Sequence, residues 1–124
     1  MKISAGKYIM QFHNGGIEVL KNDSLLYYNK RPMYVFIKTA LSITEFYDGA
    51  YEDISETEGR IIAKGTLKSP TGSELAFIDT YETIDSCFKG SRTITVLKNV
   101  DDMGFASKIA FVMAASGNVR DYNC

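Results

Sequence analysis

The sequence contains no tryptophan, two prolines and one histidine, His13. Its two cysteines, Cys87 and Cys124, stand far apart with no CxxC pair, so a Cys/His zinc site has too few ligands. No metal site or cofactor is expected. Apolar runs are short, none approaching the roughly 18 residues that a membrane helix needs, and no membrane association is expected. The start, MKISAGKYIMQFH, lacks a continuous apolar stretch and a small-residue cleavage site, so it does not read as a signal peptide. With unpaired thiols, this makes the cytoplasm the expected address. Charge of one sign is also lacking. The formal net charge of −1 leaves no electrostatic footprint for nucleic acid or an anionic surface.

What the chain does have is apolar and aromatic content in ordinary globular proportion. Hydrophobic residues make up 45% and charged residues 23%, with 8 Tyr, 7 Phe and ten Gly. A length of 124 residues suits one domain. Period-two alternation recurs while helical spacing is scarce. Lys7 to His13 reads as a strand, Asn14-Gly15-Gly16 as a hairpin turn, and Asn22-Asp23-Ser24 as a second turn before LLYYN. Met33 to Ile43 reads as a longer buried strand, or as one short helix. From Glu45 to Glu58 there are six acids and no base, the texture of a solvated connection or exposed edge. GTLKSPTGSELAFIDTYETID, Gly65 to Asp85, reads as a hairpin about Pro70-Thr71-Gly72. SRTITVLKN alternates cleanly, Asp101 to Gly104 reads as a turn, and Phe105 to Ser116 as the last strand. Short strands punctuated by Gly, Asn and Asp turns predict an all-β fold, an antiparallel β-sandwich in a single domain.

Candidate chemistry is sparse. Asp79 and Asp85 lie on one face of a continuous strand but about 20 Å apart, too far for the paired carboxylates of a glycosidase. They and Glu82 are expected on a solvated face or in a turn. The acidic stretch 45–58 misses calcium-loop spacing, and a charged loop is the better reading. His13 is expected to be exposed at a hairpin end. No G-x-S-x-G elbow or phosphate-binding glycine loop is present, so no catalytic residue is expected. The tyrosines offer another chemistry, because an aromatic face with a polar edge suits the C–H surface of a sugar. Tyr27, Tyr28, Tyr47 and Tyr51 are the candidates for carbohydrate contact, with core packing and cross-strand pairing as the alternative.

IIAKGTLKSPTGSELAFIDTYETID and RTITVLKNVDDMGFASKIAFV resemble the N-terminal β-sandwich (supersandwich-like) domain of large bacterial glycoside hydrolases with an (α/α) barrel catalytic domain. The residues carrying this are Gly72-Ser73, Asp79-Thr80-Tyr81, Arg92 and Gly104-Phe105. The resemblance implies that residues 1–124 are the N-terminal part of a longer chain, a non-catalytic domain supporting a C-terminal catalytic partner. No catalytic residue is carried over by it. The alternatives are a stand-alone carbohydrate-binding module that takes a glycan on exposed tyrosines, and a small β-barrel with Phe and Met around an apolar ligand. The fragment reading also implies an exposed apolar flank and self-association into a homo-oligomer.

Overall fold

Two-residue turns organise most of the chain. Positive φ at both central residues gives the turn a twist that matches a right-handed hairpin, and Asn, Asp and Gly tolerate that region best. Asn14-Gly15 (φ 50° and 76°), Asn22-Asp23 (50° and 65°), Glu58-Gly59 (53° and 77°) and Asp85-Ser86 (50° and 64°) all adopt it. The computed structural model describes residues 1–39, 44–69, 72–100 and 102–113. Among them there are twelve strands and no helix. The first four are β1 (Lys2–Ala5), β2 (Tyr8–His13), β3 (Gly16–Lys21) and β4 (Ser24–Asn29). Next come β5 (Met33–Thr39), β6 (Thr44–Gly49), β7 (Asp53–Thr57) and β8 (Arg60–Lys68). The last four are β9 (Glu74–Ile84), β10 (Cys87–Lys98), β11 (Asp102–Ser107) and β12 (Val112–Met113).

These strands build three antiparallel sheets, ordered β1-β2-β3-β4-β12, β10-β9-β8-β7 and β11-β5-β6. The result is the expected all-β, antiparallel, sandwich-like single domain. Each sheet turns one parity of its residues inward. Ile3, Met10, Phe12, Ile17, Val19 and Tyr27 come from the first sheet, and Met33, Val35 and Ile37 from β5. Ile61, Ala63, Leu67, Leu75, Phe77 and Tyr81 come from β8 and β9. A register shift between Val19 and Leu20 lets neighbouring Leu26 and Tyr27 both reach the interior. Among the described residues the three sheets keep unpaired edges, so Phe and Met fill a packed core rather than the lumen of a closed barrel.

The β8–β9 pairing of the Gly65–Asp85 hairpin forms as expected, from Ile61↔Tyr81 to Lys68↔Glu74, with Pro70 and Thr71 of its turn outside the described residues. At its tip the Ser69 amide donates to the Ser73 carbonyl (2.8 Å), and the Ser73 amide donates to Ser69 Oγ (3.1 Å). The Met33 segment is a strand, the first of its two readings, as far as Thr39, with 40–43 outside the described residues. The acidic stretch contains most of β6 and all of β7, an exposed edge strand as one of its two readings had it, but Tyr51 between them is buried. The supposed turn at Asp101–Gly104 is largely the start of β11. That strand ends at Ser107, and Val112–Met113 pairs with β4 in a different sheet. Residues 114–116 lie outside the described set.

Candidate functional site

Asp79 lies directly opposite Arg92 in the β9–β10 ladder, on the inward parity that also holds Leu75, Phe77 and Tyr81. It is 0% exposed, which overturns the expectation of a solvated carboxylate. A buried charge needs a partner and further hydrogen bonds to hold its remaining lone pairs. Arg92 provides the partner, with Nε 2.8 Å from Asp79 Oδ1 and Nη2 2.6 Å from Oδ2. This is the bidentate fork of the strongest carboxylate–guanidinium pairs.

The remaining guanidinium donors leave their own sheet. Nη1 donates to Ser107 Oγ and to the Lys108 carbonyl, both at 2.8 Å, and Nη2 donates to the Pro32 carbonyl at 2.6 Å. All five N–H groups of Arg92 are thereby used. Ser107 Oγ in turn donates to the Tyr34 carbonyl. Arg92 also lies over the Phe77 ring, 5.0 Å from its centroid. A side chain on β10 thus ties the four-stranded sheet to the start of β5 and to the end of β11.

Two tyrosines complete the cluster. The Tyr51 hydroxyl donates to Asp79 Oδ2 and shares a hydrogen bond with the Tyr81 hydroxyl. Tyr51 lies outside any strand, and its position is set by the β2–β3 hairpin. Its amide donates to the Gly15 carbonyl at 2.9 Å, and a Cβ on Gly15 would sit 2.5 Å from the Tyr51 carbonyl oxygen. Only glycine permits that approach at φ 76°. Burial, with the neighbouring Tyr81 and Asp79, pushes the Tyr51 phenol far above its ordinary value. Burial also raises Tyr81, against the lowering effect of its hydrogen bond with Tyr51. For Arg92, burial acts to lower the value, and hydrogen bonding and attraction to Asp79 outweigh it, so the guanidinium is held above its usual range. Both phenols stay neutral and the carboxylate stays paired.

Among the described residues no buried side-chain nitrogen or oxygen lacks a partner. A closed, fully satisfied network offers no free nucleophile, base or ligand position, so its chemistry is that of a clamp between sheets. Three further acids also have partners. Arg31 Nε donates to Asp48 at 2.6 Å, Arg60 pairs with Glu82 at 3.2 Å, and Glu52 accepts from the Thr66 amide at 2.6 Å. Among the described residues no three His, Cys, Asp or Glu gather as a metal group. Asp85 sits exposed in its turn and His13 is exposed at the hairpin end, both as expected.

The four candidate tyrosines do not share a face. Tyr27 and Tyr51 are 6% and 5% exposed, so neither can lie flat against a sugar, and core packing and the clamp account for them. Tyr47 faces inward opposite Val35 and is half-buried against the core. Tyr28 borders an open recess, of about 470 Å³, together with His13, Glu18, Asn29 and Lys30. Aromatic exposure lies elsewhere. The outer face of β5 and β6 presents Tyr34, Phe36 (38% exposed) and Phe46 (60% exposed) around a recess of about 330 Å³. The Phe36 and Phe46 rings meet edge-on at 4.9 Å and 74°, and Tyr34 meets Phe46 at 6.0 Å and 40°. Lys108 Nζ lies 5.3 Å from the Tyr34 centroid.

Sequence reasoning missed the clamp, although a signal existed. Asp79 shares its parity with three large apolar residues, and a charge in that register is either misread or buried with a partner. Comparison with known protein families, curated proteins and solved structures finds no match to this chain. No helix among the described residues is long and apolar enough to cross a membrane.

Proposed function

We propose that this chain is a non-catalytic β-sandwich domain that accompanies a carbohydrate-active enzyme in the cytoplasm. It supports the catalytic domain by docking against it through the outer face of β5 and β6. The observation that carries this reading is the exposed Tyr34–Phe36–Phe46 cluster, since large aromatics are costly to leave in water and tend to mark interaction surfaces. Rings tilted at 40° and 74° make a ridged surface, which suits interdigitating side chains better than a flat pyranose ring. A rim formed by the Arg31–Asp48 pair and Lys108 fits the usual plan of an apolar centre with a polar border. Further support comes from the residues that carry the resemblance to glycoside hydrolase N-terminal domains. Asp79, Tyr81 and Arg92 are members of the clamp, so the shared pattern is one of construction.

The test is calorimetric titration of this chain with an (α/α) barrel catalytic domain encoded beside it. Micromolar or tighter binding that Phe46→Asp abolishes is the expected result. Binding that survives Phe46→Asp, or no binding, would sink the proposal. The second reading is a stand-alone glycan-binding module, favoured by the Tyr28 recess, where one aromatic ring meets Glu18, Asn29, His13 and Lys30. It requires glycan binding that Tyr28→Ala removes and Phe46→Asp leaves intact.

A further inference from the structure

Edge strands offer unpaired backbone groups, and proteins guard them with shortness, charge, proline or bulges. Most edges here are short. β1, β6, β7, β11 and β12 have two to six residues. β10 is different. It is an edge of twelve residues, and among the described residues it pairs only with β9. From Gly90 to Leu97 its sequence is GSRTITVL, with no proline and one charged residue. That residue is Arg92, whose guanidinium is turned inward and held by Asp79. Within Gly90–Leu97 the clamp therefore turns the one charge inward, and the exposed Lys89 and Lys98 only flank that segment. Ser91, Thr93 and Thr95 stand exposed on the outer face, and a register irregularity begins only past Val96.

We infer that β10 is a self-association surface whose partner is a second copy of this chain, paired antiparallel across a two-fold axis at Thr93. A two-fold axis perpendicular to the sheet sets each residue opposite one of the same facing, so the axis must pass through a residue. Centring it on Arg92 opposes two arginines, and centring it on Thr95 opposes Arg92 to Lys98. Centring it on Ile94 runs the overlap into the irregular end of the strand. The Thr93 axis avoids all three. It pairs Gly90 with Val96, Ser91 with Thr95, Arg92 with Ile94 and Thr93 with itself. Between Ser91 and Thr95 the outer face then carries only hydroxyl pairs, a favourable cross-strand combination. Backbone hydrogen bonds join two four-stranded sheets into one of eight strands, within the range of natural sheets. This surface is separate from the β5–β6 face.

Sedimentation velocity from micromolar to near-millimolar chain tests the inference. A monomer–dimer equilibrium is expected. Thr93→Lys, which sets two like charges opposite each other at the axis, weakens it by about tenfold or more, and Phe46→Asp leaves it unchanged. A chain that stays monomeric throughout overturns the inference. So does a dimer that Phe46→Asp breaks and Thr93→Lys spares. If Thr93→Lys fails to fold, amide hydrogen exchange of the unaltered protein decides. Protection within Gly90–Val96 that grows with concentration supports the dimer, and protection independent of concentration overturns it.

Discussion

Replacing Arg92 with methionine should be among the most damaging single changes available in this domain. The side chain is 9% exposed and its carboxylate partner is fully buried. Methionine keeps much of the aliphatic length but removes five donors. It leaves Asp79 with only the Tyr51 hydroxyl and takes the guanidinium from the Pro32 and Lys108 carbonyls. Breaking a buried pair by deleting one member costs about 3–5 kcal/mol, out of a total stability of roughly 5–15 kcal/mol. An unfolding entropy of about 2.1 cal/mol/K per residue amounts to about 0.26 kcal/mol/K for this chain. The midpoint of a thermal melt followed by circular dichroism should therefore fall by about 12–19 °C. The double variant Asp79→Leu/Arg92→Met should recover much of that loss, because apolar residues often replace a buried ion pair at little cost. A fall of less than about 4 °C for Arg92→Met, equivalent to about 1 kcal/mol, would refute the clamp. So would a double variant whose destabilisation equals the sum of the two single ones.

The remaining predictions concern the tyrosines and the hairpin that positions one of them. Tyr51 and Tyr81 have values raised above the ordinary phenol value of 10.0, so their neutral forms stabilise the fold fully below that pH. As pH rises past about 10 the unfolded chain loses protons that the folded chain keeps, and stability falls by about 2.7 kcal/mol per pH unit for the two together. Tyrosinate absorbance should show a step that coincides with loss of far-ultraviolet dichroism, and titration of all eight tyrosines before unfolding would contradict this. Tyr51→Phe should halve that alkaline slope and cost about 1–3 kcal/mol at neutral pH, measured by urea unfolding. Gly15→Ala should destabilise through both its positive φ and the approach of the new methyl group to the Tyr51 carbonyl. A melt unchanged from that of the parent chain would show that the hairpin does not position Tyr51.

Hairpins were the most legible part of this chain. Asn14-Gly15 and the Gly65–Asp85 stretch carry their turn chemistry and alternation within a few residues, and both formed as read. Tyr51 was illegible for the opposite reason. It sits among acids in a stretch with the texture of a loop, and its burial depends on Gly15 and Asp79, both distant in the chain. Asp79 was misassigned because its parity was used only to set it on one face with Asp85, and the large apolar residues sharing that face were not taken as a sign of burial. The Phe105–Ser116 run was read as one strand because apolar composition does not reveal where a chain leaves one sheet for another.

Composition, alternation and turn residues by themselves determined an all-β antiparallel domain, because those preferences act between residues close in the chain. Which tyrosines face water, and how Asp79 comes to be harmlessly buried, were decided by tertiary structure alone. The β9–β10 register sets Arg92 opposite Asp79, and the packing of sheets brings Pro32, Ser107 and Lys108 to the remaining donors. A buried charge is tolerable only when all of those partners arrive together, and their meeting depends on contacts between segments up to 60 residues apart.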